Sequence, residues 1–235
     1  MNKQQIMTTL FLLQSLDGKI STGGTDERDF DKDLAQITGI KEGLHQYYEI
    51  EGQTDLVSFN SGRVLAKVGA NTKPLDEVVK TPVSFVVVDN QPRLDTHGVE
   101  YMARKSDKLY IVTTNKTHPA YGLQEKYENI VVIPYDGSID FVDLFSKLHT
   151  EYAIERMTIQ TGGELNAILL RAGLIDNVLL VIVPCLVGGR TTTTLVDGEP
   201  LHTVEDLARI RPLKLKTCTA LEDSYVRLEY EVVNS

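Results

Sequence analysis

Gln160-Thr161-Gly162-Gly163-Glu164-Leu165-Asn166 lies between a strand-like run, Thr158-Ile159-Gln160, and an apolar helical segment that closes with Gly173-Leu174-Ile175-Asp176. The unbroken apolar run Val178–Val183 follows, then Pro184 and the pair Gly188-Gly189. Leu165, Ile168, Leu169 and Ala172 fall at i, i+3, i+4 and i+7, which predicts one apolar helix face. Gly173 is placed as the helix C-cap. A run such as 178–183 suits a strand buried on both faces. The paired glycines therefore sit between a strand and a helix N-terminus, where free N–H groups and the helix dipole favour a phosphate. A strand–Gly-Gly–helix–strand unit is a candidate dinucleotide site, although two glycines alone do not establish one.

Working outward, Met7–Leu13 reads as an apolar strand that leads into Ser15-Leu16-Asp17-Gly18-Lys19-Ile20. Residues 29–50 read as one helix or two short ones, broken near Gly39 or Gly43. Further strands are expected at 56–59, 83–88, 109–113 and 130–133, with a brief helix through Lys67, a polar helical segment between the last two strands and an amphipathic helix at 140–148. Lys214–Thr219 and Tyr225–Val232 alternate like a closing antiparallel hairpin. Strands and helices alternate over most of the length, which calls for an α/β sandwich with a mixed, mainly parallel sheet. With no Pro- or Ser-rich linker, charge block or repeat, residues 1–235 are expected to form a single domain.

The chain has 235 residues, long enough for a full core, and 42% of them are apolar. Its net charge of −9 argues against nucleic acid or an anionic membrane as a partner. No apolar run is long enough to span a bilayer and no secretory signal is evident. Cys185 and Cys218 read most simply as two lone thiols in a reducing cytoplasm.

The five histidines lack metal-ligand spacing, so no metal site is expected, and neither a Gly-x-Ser-x-Gly elbow nor a Walker loop is present. These absences suit hydride transfer, in which the cofactor carries the reaction and the protein supplies orientation. In the 15–19 turn, Lys19 would pair with an anionic substrate while Asp17 orients a polar group or relays a proton; an ordinary Asp-Gly turn with solvated charges is the competing reading. In Asn60-Ser61-Gly62-Arg63, Ser61 caps a short helix, Gly62 admits close backbone approach and Arg63 adds a charge-assisted contact, or the segment is simply a capped helix start. Thr113-Thr114-Asn115-Lys116 is either an adenosine or 2′-phosphate contact or a polar strand end. Pro184, Gly188 and Gly189 end a buried strand, and ligands of open α/β sheets gather at such ends. Cys185 as a nucleophile would need a partner from elsewhere in the fold.

As an ordered set these segments resemble the reductase domain of riboflavin biosynthesis, in the dihydrofolate-reductase-like superfamily. The matching residues are Ser15–Ile20, Asp55, Ser61-Gly62, Val87-Val88-Asp89, Gly162–Asn166, Gly173–Asp176 and Pro184…Gly188-Gly189. Thr194-Leu195-Val196-Asp197-Gly198 looks more like the stand-alone reductases than the deaminase-fused type. The resemblance implies a dihydrofolate-reductase-like three-layer fold. It also implies an NADPH-dependent reduction of a ribosylamino-pyrimidine 5′-phosphate at sugar C1′, usually by a homodimer. It implies that Leu13 and Gln14 flank the nicotinamide with backbone groups and that Ile20 and Ser21 lie over it. Ser61, Gly62, Gly162, Gly163, Glu164 and Leu165 would surround the phosphates, and Asp17 and Lys19 would face the substrate. The chain departs from the family pattern at Asn60, Arg63 and Thr161, and it lacks an Asp-Asn-Pro run within 64–72. Two alternatives therefore stay open: a related reductase of another pterin-like or carbonyl substrate, and a non-catalytic nucleotide-binding relative.

Overall fold

The structure, a computed structural model, describes residues 6–234. In chain order it contains β1 (Met7–Ser15), α1 (Phe30–Leu34), α2 (His45–Glu51), β2 (Val57–Ser61), α3 (Gly62–Lys67), β3 (Ser84–Val88), α4 (Thr96–Lys105), β4 (Leu109–Thr113) and α5 (Ala120–Leu123). There follow β5 (Ile130–Pro134), α6 (Phe141–Thr150), β6 (Arg156–Ile159), α7 (Gly163–Arg171), β7 (Asn177–Val183), β8 (Leu213–Ala220) and β9 (Val226–Val232). Two compact units share them, one built from Ile6 and Asp55–Thr161, the other from Met7–Thr54 and residues 162–234.

In the 55–161 unit the strands run β5-β4-β3-β2-β6, all parallel. Strand alternation sends Phe85, Val87, Leu109 and Ile111 to one face, where they meet Leu65 of α3, Val99, Met102 and Ala103 of α4, and Ala120 and Leu123 of α5. The opposite face carries Phe59 and Tyr110. Phe59 packs on Phe145 of α6 and Tyr110 on Tyr152 just beyond it, with ring centroids 5.5 and 5.0 Å apart. Helices thus cover both faces of this unit, the three-layer arrangement the parallel strands require.

In the other unit the order is β1-β7-β9-β8, with β1 and β7 parallel and the two remaining ladders antiparallel. Phe11, Leu13, Val181 and Val183 share a core with Phe30 and Leu34 of α1 and with Leu44, Tyr47 and Ile50. Phe11 stacks on Tyr47 at 5.1 Å. Tyr225 is fully buried in this core, and its hydroxyl donates to the Ile40 carbonyl at 2.7 Å. A side chain at position 43 would overlap its ring, so Gly43 is required by packing.

The mixed, mainly parallel α/β class and the closing hairpin are as expected, and β4 covers the expected residues. Gly39 at φ +87° marks the break between α1 and α2. Gly173 at φ +69° ends α7 with the anticipated cap, Leu174 N–H donating to the Leu169 carbonyl. The helix α4 is a finding that sequence reading missed. Asp95 caps it through Gly98 N–H, and Val99, Met102 and Ala103 form its buried stripe. The expected apolar face of α7 holds only in part: Leu169 is fully buried and Leu165 half-buried. Ile168 is 49% exposed and Ala172 is exposed, whereas Gly163, Asn166, Ala167 and Leu169 are buried. The 194–197 segment lies against Gly163 and Asn166, and its close approach selects small or polar residues at those positions beside the buried Leu169. Among the described residues no helix is long and apolar enough to cross a membrane.

Replacing Tyr225 by Phe takes the shorter of two donors from the Ile40 carbonyl in a closed core, leaving it only the Gly43 N–H at 3.3 Å. We expect a loss of about 1–3 kcal/mol in urea unfolding; a change well below 1 kcal/mol would show that this hydrogen bond does not support the unit.

Candidate active site

The turn after β1 is closed by its own backbone: Ser15 N–H donates to the Lys19 carbonyl at 2.9 Å and Gly18 N–H to the Ser15 carbonyl at 3.0 Å. Gly18 supplies the left-handed conformation the turn needs, at φ +78°. Ser15 Oγ accepts from Lys19 N–H at 2.9 Å and donates to Asp17 Oδ1 at 2.5 Å. The Asp17 carboxylate also receives Val187 N–H at 3.1 Å and Gly188 N–H at 2.7 Å. Successive backbone N–H groups aimed at one anion form a nest. The Ser15 hydroxyl first, then these two amides, hold the Asp17 carboxyl down at about 2. At neutral pH Asp17 is therefore an ionised acceptor with no proton to give, committed to the 187–188 backbone.

Lys19 Nζ donates to the carbonyls of Gly189 at 2.9 Å and Thr192 at 3.0 Å, which uses two of its three donors. The backbone continues the attachment: Leu16 N–H to the Cys185 carbonyl, Ile20 N–H to Thr193 and Leu195 N–H to Gly18. Pro184, Gly188 and Gly189 are exposed on this loop. Cys185 is half-buried, and desolvation first, then the Asp17 charge, pushes its thiol up, the reverse of an activated nucleophile. Leu13 has its side chain in the core, so its backbone is what remains for a ligand. Ile20 is half-buried, and Ser21 is buried with its hydroxyl on the Gly23 carbonyl. Gln14 Oε1 is buried without a hydrogen-bond partner, a costly state for an acceptor in a closed protein.

The loop meets the start of α7 at its far end. Asp197 N–H donates to the Gly163 carbonyl at 3.0 Å, and Asn166 Nδ2 donates to Leu195 at 2.8 Å. Thr194 donates to Asp197 Oδ1 through both its N–H and its hydroxyl. A Cβ at position 163 would overlap Asp197 and the Thr194 carbonyl, whereas one at position 162 would meet nothing within 4 Å. Gly162 is an extended N-cap with no side-chain cap, Glu164 is exposed and Leu165 is half-buried. The two glycines, alike in sequence, thus do different work: Gly163 admits the loop, and Gly162 borders open space.

In the 55–161 unit, Ser61 caps α3 by accepting Val64 N–H, Gly62 is buried against the Asp89 carboxylate, and Arg63 is exposed. Thr113 is buried, its hydroxyl donating to the Asp89 carbonyl at 2.8 Å and accepting from Asn115 N–H at 3.0 Å. Thr114 N–H donates to Asn90 Oδ1 at 3.0 Å. Thr113 therefore shapes the strand end from within. Sequence reading missed His118, which is buried against Asp89; a separation of 29 residues carries no local signal. Among the described residues no three His, Cys, Asp or Glu side chains gather to hold a metal ion.

A family model described as the RibD C-terminal domain matches residues 7–226. A 2,5-diamino-6-ribosylamino-4(3H)-pyrimidinone 5′-phosphate reductase of Methanothermobacter thermautotrophicus is 30% identical over 226 residues, covering 93% of this chain and 94% of that protein. The riboflavin biosynthesis protein RibD of Actinobacillus pleuropneumoniae is 26% identical over 222 residues, covering 93% of this chain and 54% of its own length. Among solved structures, Acinetobacter baumannii RibD aligns with a TM-score of 0.70 at 15% identity, over 100% of this chain and 60% of that one. The riboflavin biosynthesis reductase Rib7 of Saccharomyces cerevisiae aligns with a TM-score of 0.60 at 17% identity, over 99% and 92%. Both structures share the fold.

The Asp17 tether has a defined pH window. Its folded value, about 2, is depressed below the ordinary 3.8, so its contribution is complete at neutral pH, declines as pH falls through 3.8 and is gone below about 2. Limited proteolysis within 186–192 should be unchanged from pH 8 to pH 5 in the native chain and faster at pH 7 in Asp17→Asn. Equal rates for the two proteins at pH 7 would remove the tether. The glycines supply a second expectation: Gly163→Ala should unfold at lower denaturant than Gly162→Ala, and the reverse order would contradict the loop contact.

Proposed function

The chain belongs to the RibD C-terminal domain family, and from that premise we propose that it reduces a ribosylamino-pyrimidine 5′-phosphate to the ribitylamino product, with NADPH as reductant. The observation that carries this reading is the loop 184–197, pinned at one end by Asp17 and Lys19 and at the other by Gly163, beside a Gly162 that borders open space. A curated reductase of that substrate class matches the chain over 94% of its own length. NADPH, when bound, supplies the hydride that reduces C1′ of the opened sugar.

The residues present fit the cofactor. The uncapped N-terminus of α7 offers the backbone N–H groups of 162–165 to a phosphate. The orphaned Gln14 Oε1 offers an acceptor for a carboxamide N–H, beside the backbone of Leu13 and the Ile20–Ser21 segment. In the 55–161 unit, Ser61, Gly62 and Arg63 are the expected phosphate contacts, while Thr113 and Thr114 act through the backbone they hold.

On the substrate side Lys19 presents its remaining N–H to a sugar hydroxyl or phosphate oxygen, with Pro184, Gly188 and Gly189 as the wall. Asp17 is a positioning residue here, because its carboxylate is spent on 187–188. The proton that accompanies reduction then comes from the Lys19 ammonium or from water. We further propose a single reductase domain over 1–235, a cytoplasmic setting, and a homodimer. The exposed edge strand β8, with Leu213 and Leu215 uncovered, supports the dimer.

The test is NADPH oxidation by the purified protein with the ribosylamino-pyrimidine phosphate and, separately, with dihydrofolate and simple carbonyl compounds. Turnover with the phosphate is expected. Turnover with the others alone would assign the chain to a different reductase, and cofactor binding without turnover on any of them would make it a nucleotide-binding relative. In Lys19→Ala we expect KM for the substrate to rise about tenfold to a hundredfold, the scale of one lost charge-assisted hydrogen bond, with a smaller change in NADPH affinity. Equal losses in both would contradict the assignment of Lys19 to the substrate.

A further inference from the structure

The 55–161 unit contains a buried histidine–carboxylate pair that the reading above leaves unused. Asp89 follows the last residue of β3, and its side chain and that of His118 are 1% and 0% exposed. His118 Nδ1 accepts Ala120 N–H at 3.1 Å, so the ring proton lies on Nε2, which donates to Asp89 Oδ2 at 3.1 Å. The same carboxylate accepts Arg93 N–H at 2.9 Å on Oδ1 and Leu94 N–H at 3.0 Å on Oδ2. Its backbone carbonyl accepts the Thr113 hydroxyl, and its N–H continues the ladder to Val112.

Because β2, β3 and β4 are parallel and in register, the segments that leave them emerge at one end of this sheet. Those segments are the Asn60–Arg63 turn, the 89–95 loop and the 113–119 loop. Asp89 touches all three. It is hydrogen-bonded within its own loop and to His118 of the third, and its carboxylate lies where a Cβ of residue 62 would stand. Gly62 is thus glycine because a carboxylate side chain fixed by three donors, Arg93 N–H, Leu94 N–H and His118 Nε2–H, occupies that space. The 62–63 backbone cannot shift toward β3 while the carboxylate is held there. A carboxylate left to solvent would select other rotamers; the His118 ring closes it off and pins one of its oxygens.

We propose that Asp89 and His118 form a positioning pair that sets the Gly62 backbone for the cofactor phosphate, neither of them touching the cofactor. This rests on the reading of Ser61-Gly62-Arg63 as a phosphate contact, and it adds that the contact is specified from beneath by the histidine.

The experiment uses the full chain and two variants, His118→Phe, which removes both ring nitrogens, and His118→Gln, which keeps a donor toward Asp89. NADPH affinity by fluorescence titration, substrate KM and hydrogen–deuterium exchange of peptides over 58–66 and 163–171 are measured for each. His118→Phe should weaken NADPH binding about tenfold, the scale of one charge-assisted hydrogen bond. Substrate KM at saturating NADPH should stay within about threefold, the same scale taken as background. Exchange should rise in 58–66 and not in 163–171, and His118→Gln should recover most of the affinity. A folded His118→Phe with unchanged NADPH affinity, equal losses for cofactor and substrate, or no rise in 58–66 exchange would each overturn the proposal. If His118→Phe does not fold, His118→Asn, whose shorter side chain withdraws the donor from Asp89, takes its place: weaker NADPH binding with raised 58–66 exchange supports the pair, and native values of both overturn it. If the native protein binds no NADPH, the functional reading fails, and the exchange comparison alone then supports or overturns the positioning of Gly62.

Discussion

The convergence of Val187 N–H and Gly188 N–H on the Asp17 carboxylate is the constraint on which the candidate site depends. A loop that leaves a buried parallel strand carries backbone donors with no strand neighbour to satisfy them. Here an anion from the turn after the adjacent strand satisfies two of them, and Lys19, two residues on, satisfies two carbonyls of the same loop. One five-residue turn thus supplies both signs of charge to opposite backbone polarities of one loop. That loop in turn reaches Gly163 through Asp197 and Thr194, so the N-terminus of α7 inherits its placement from a turn about 145 residues earlier in sequence. Longer loops cost only slowly more to close, which makes such a long-range tether affordable.

The 55–161 unit solves the same problem with the same chemistry. Asp89, also just past the end of a parallel strand, accepts two amides of the loop it begins and one imidazole N–H. The difference lies in solvent. Asp17 is exposed and is held ionised by its donors, whereas Asp89 is sealed and depends on His118 to complete its coordination. A buried carboxylate persists only when such donors surround it. In both units the glycine nearest the carboxylate or its loop, Gly62 or Gly163, is glycine because protein packs on it, and close packing rather than flexibility explains the residue choice.

Local chemistry made much of this readable from sequence. The continuous apolar run at 178–183, the Gly-Gly turn, the Gly173 cap and the Ser15–Lys19 turn each announce themselves within a few residues, and all stand where expected. What sequence reading missed is long-range or backbone-driven. The bonds from Asp17 to residues 187 and 188, and from Asp89 to His118, join positions whose spacing carries no period. The α7 face was legible only in part because periodicity counts bulky apolar residues: Leu169 is buried as expected, but Gly163, Asn166 and Ala167 share the buried side, where the 194–198 segment packs, and Ile168 is exposed. Helix α4 was missed because His97 and Gly98 interrupt its first turn, leaving the Asp95 cap and a three-residue apolar stripe as its signal. Gly162 and Gly163 are indistinguishable by type; their neighbours alone separate them.

The central claim is that backbone held by packing, above all the 162–165 amides, receives the cofactor. Backbone amide NMR of the labelled protein during NADPH titration tests it most directly. The account predicts that the amides of 162–165 shift in saturable fashion as NADPH is added. Saturable NADPH binding that leaves 162–165 unmoved would contradict it.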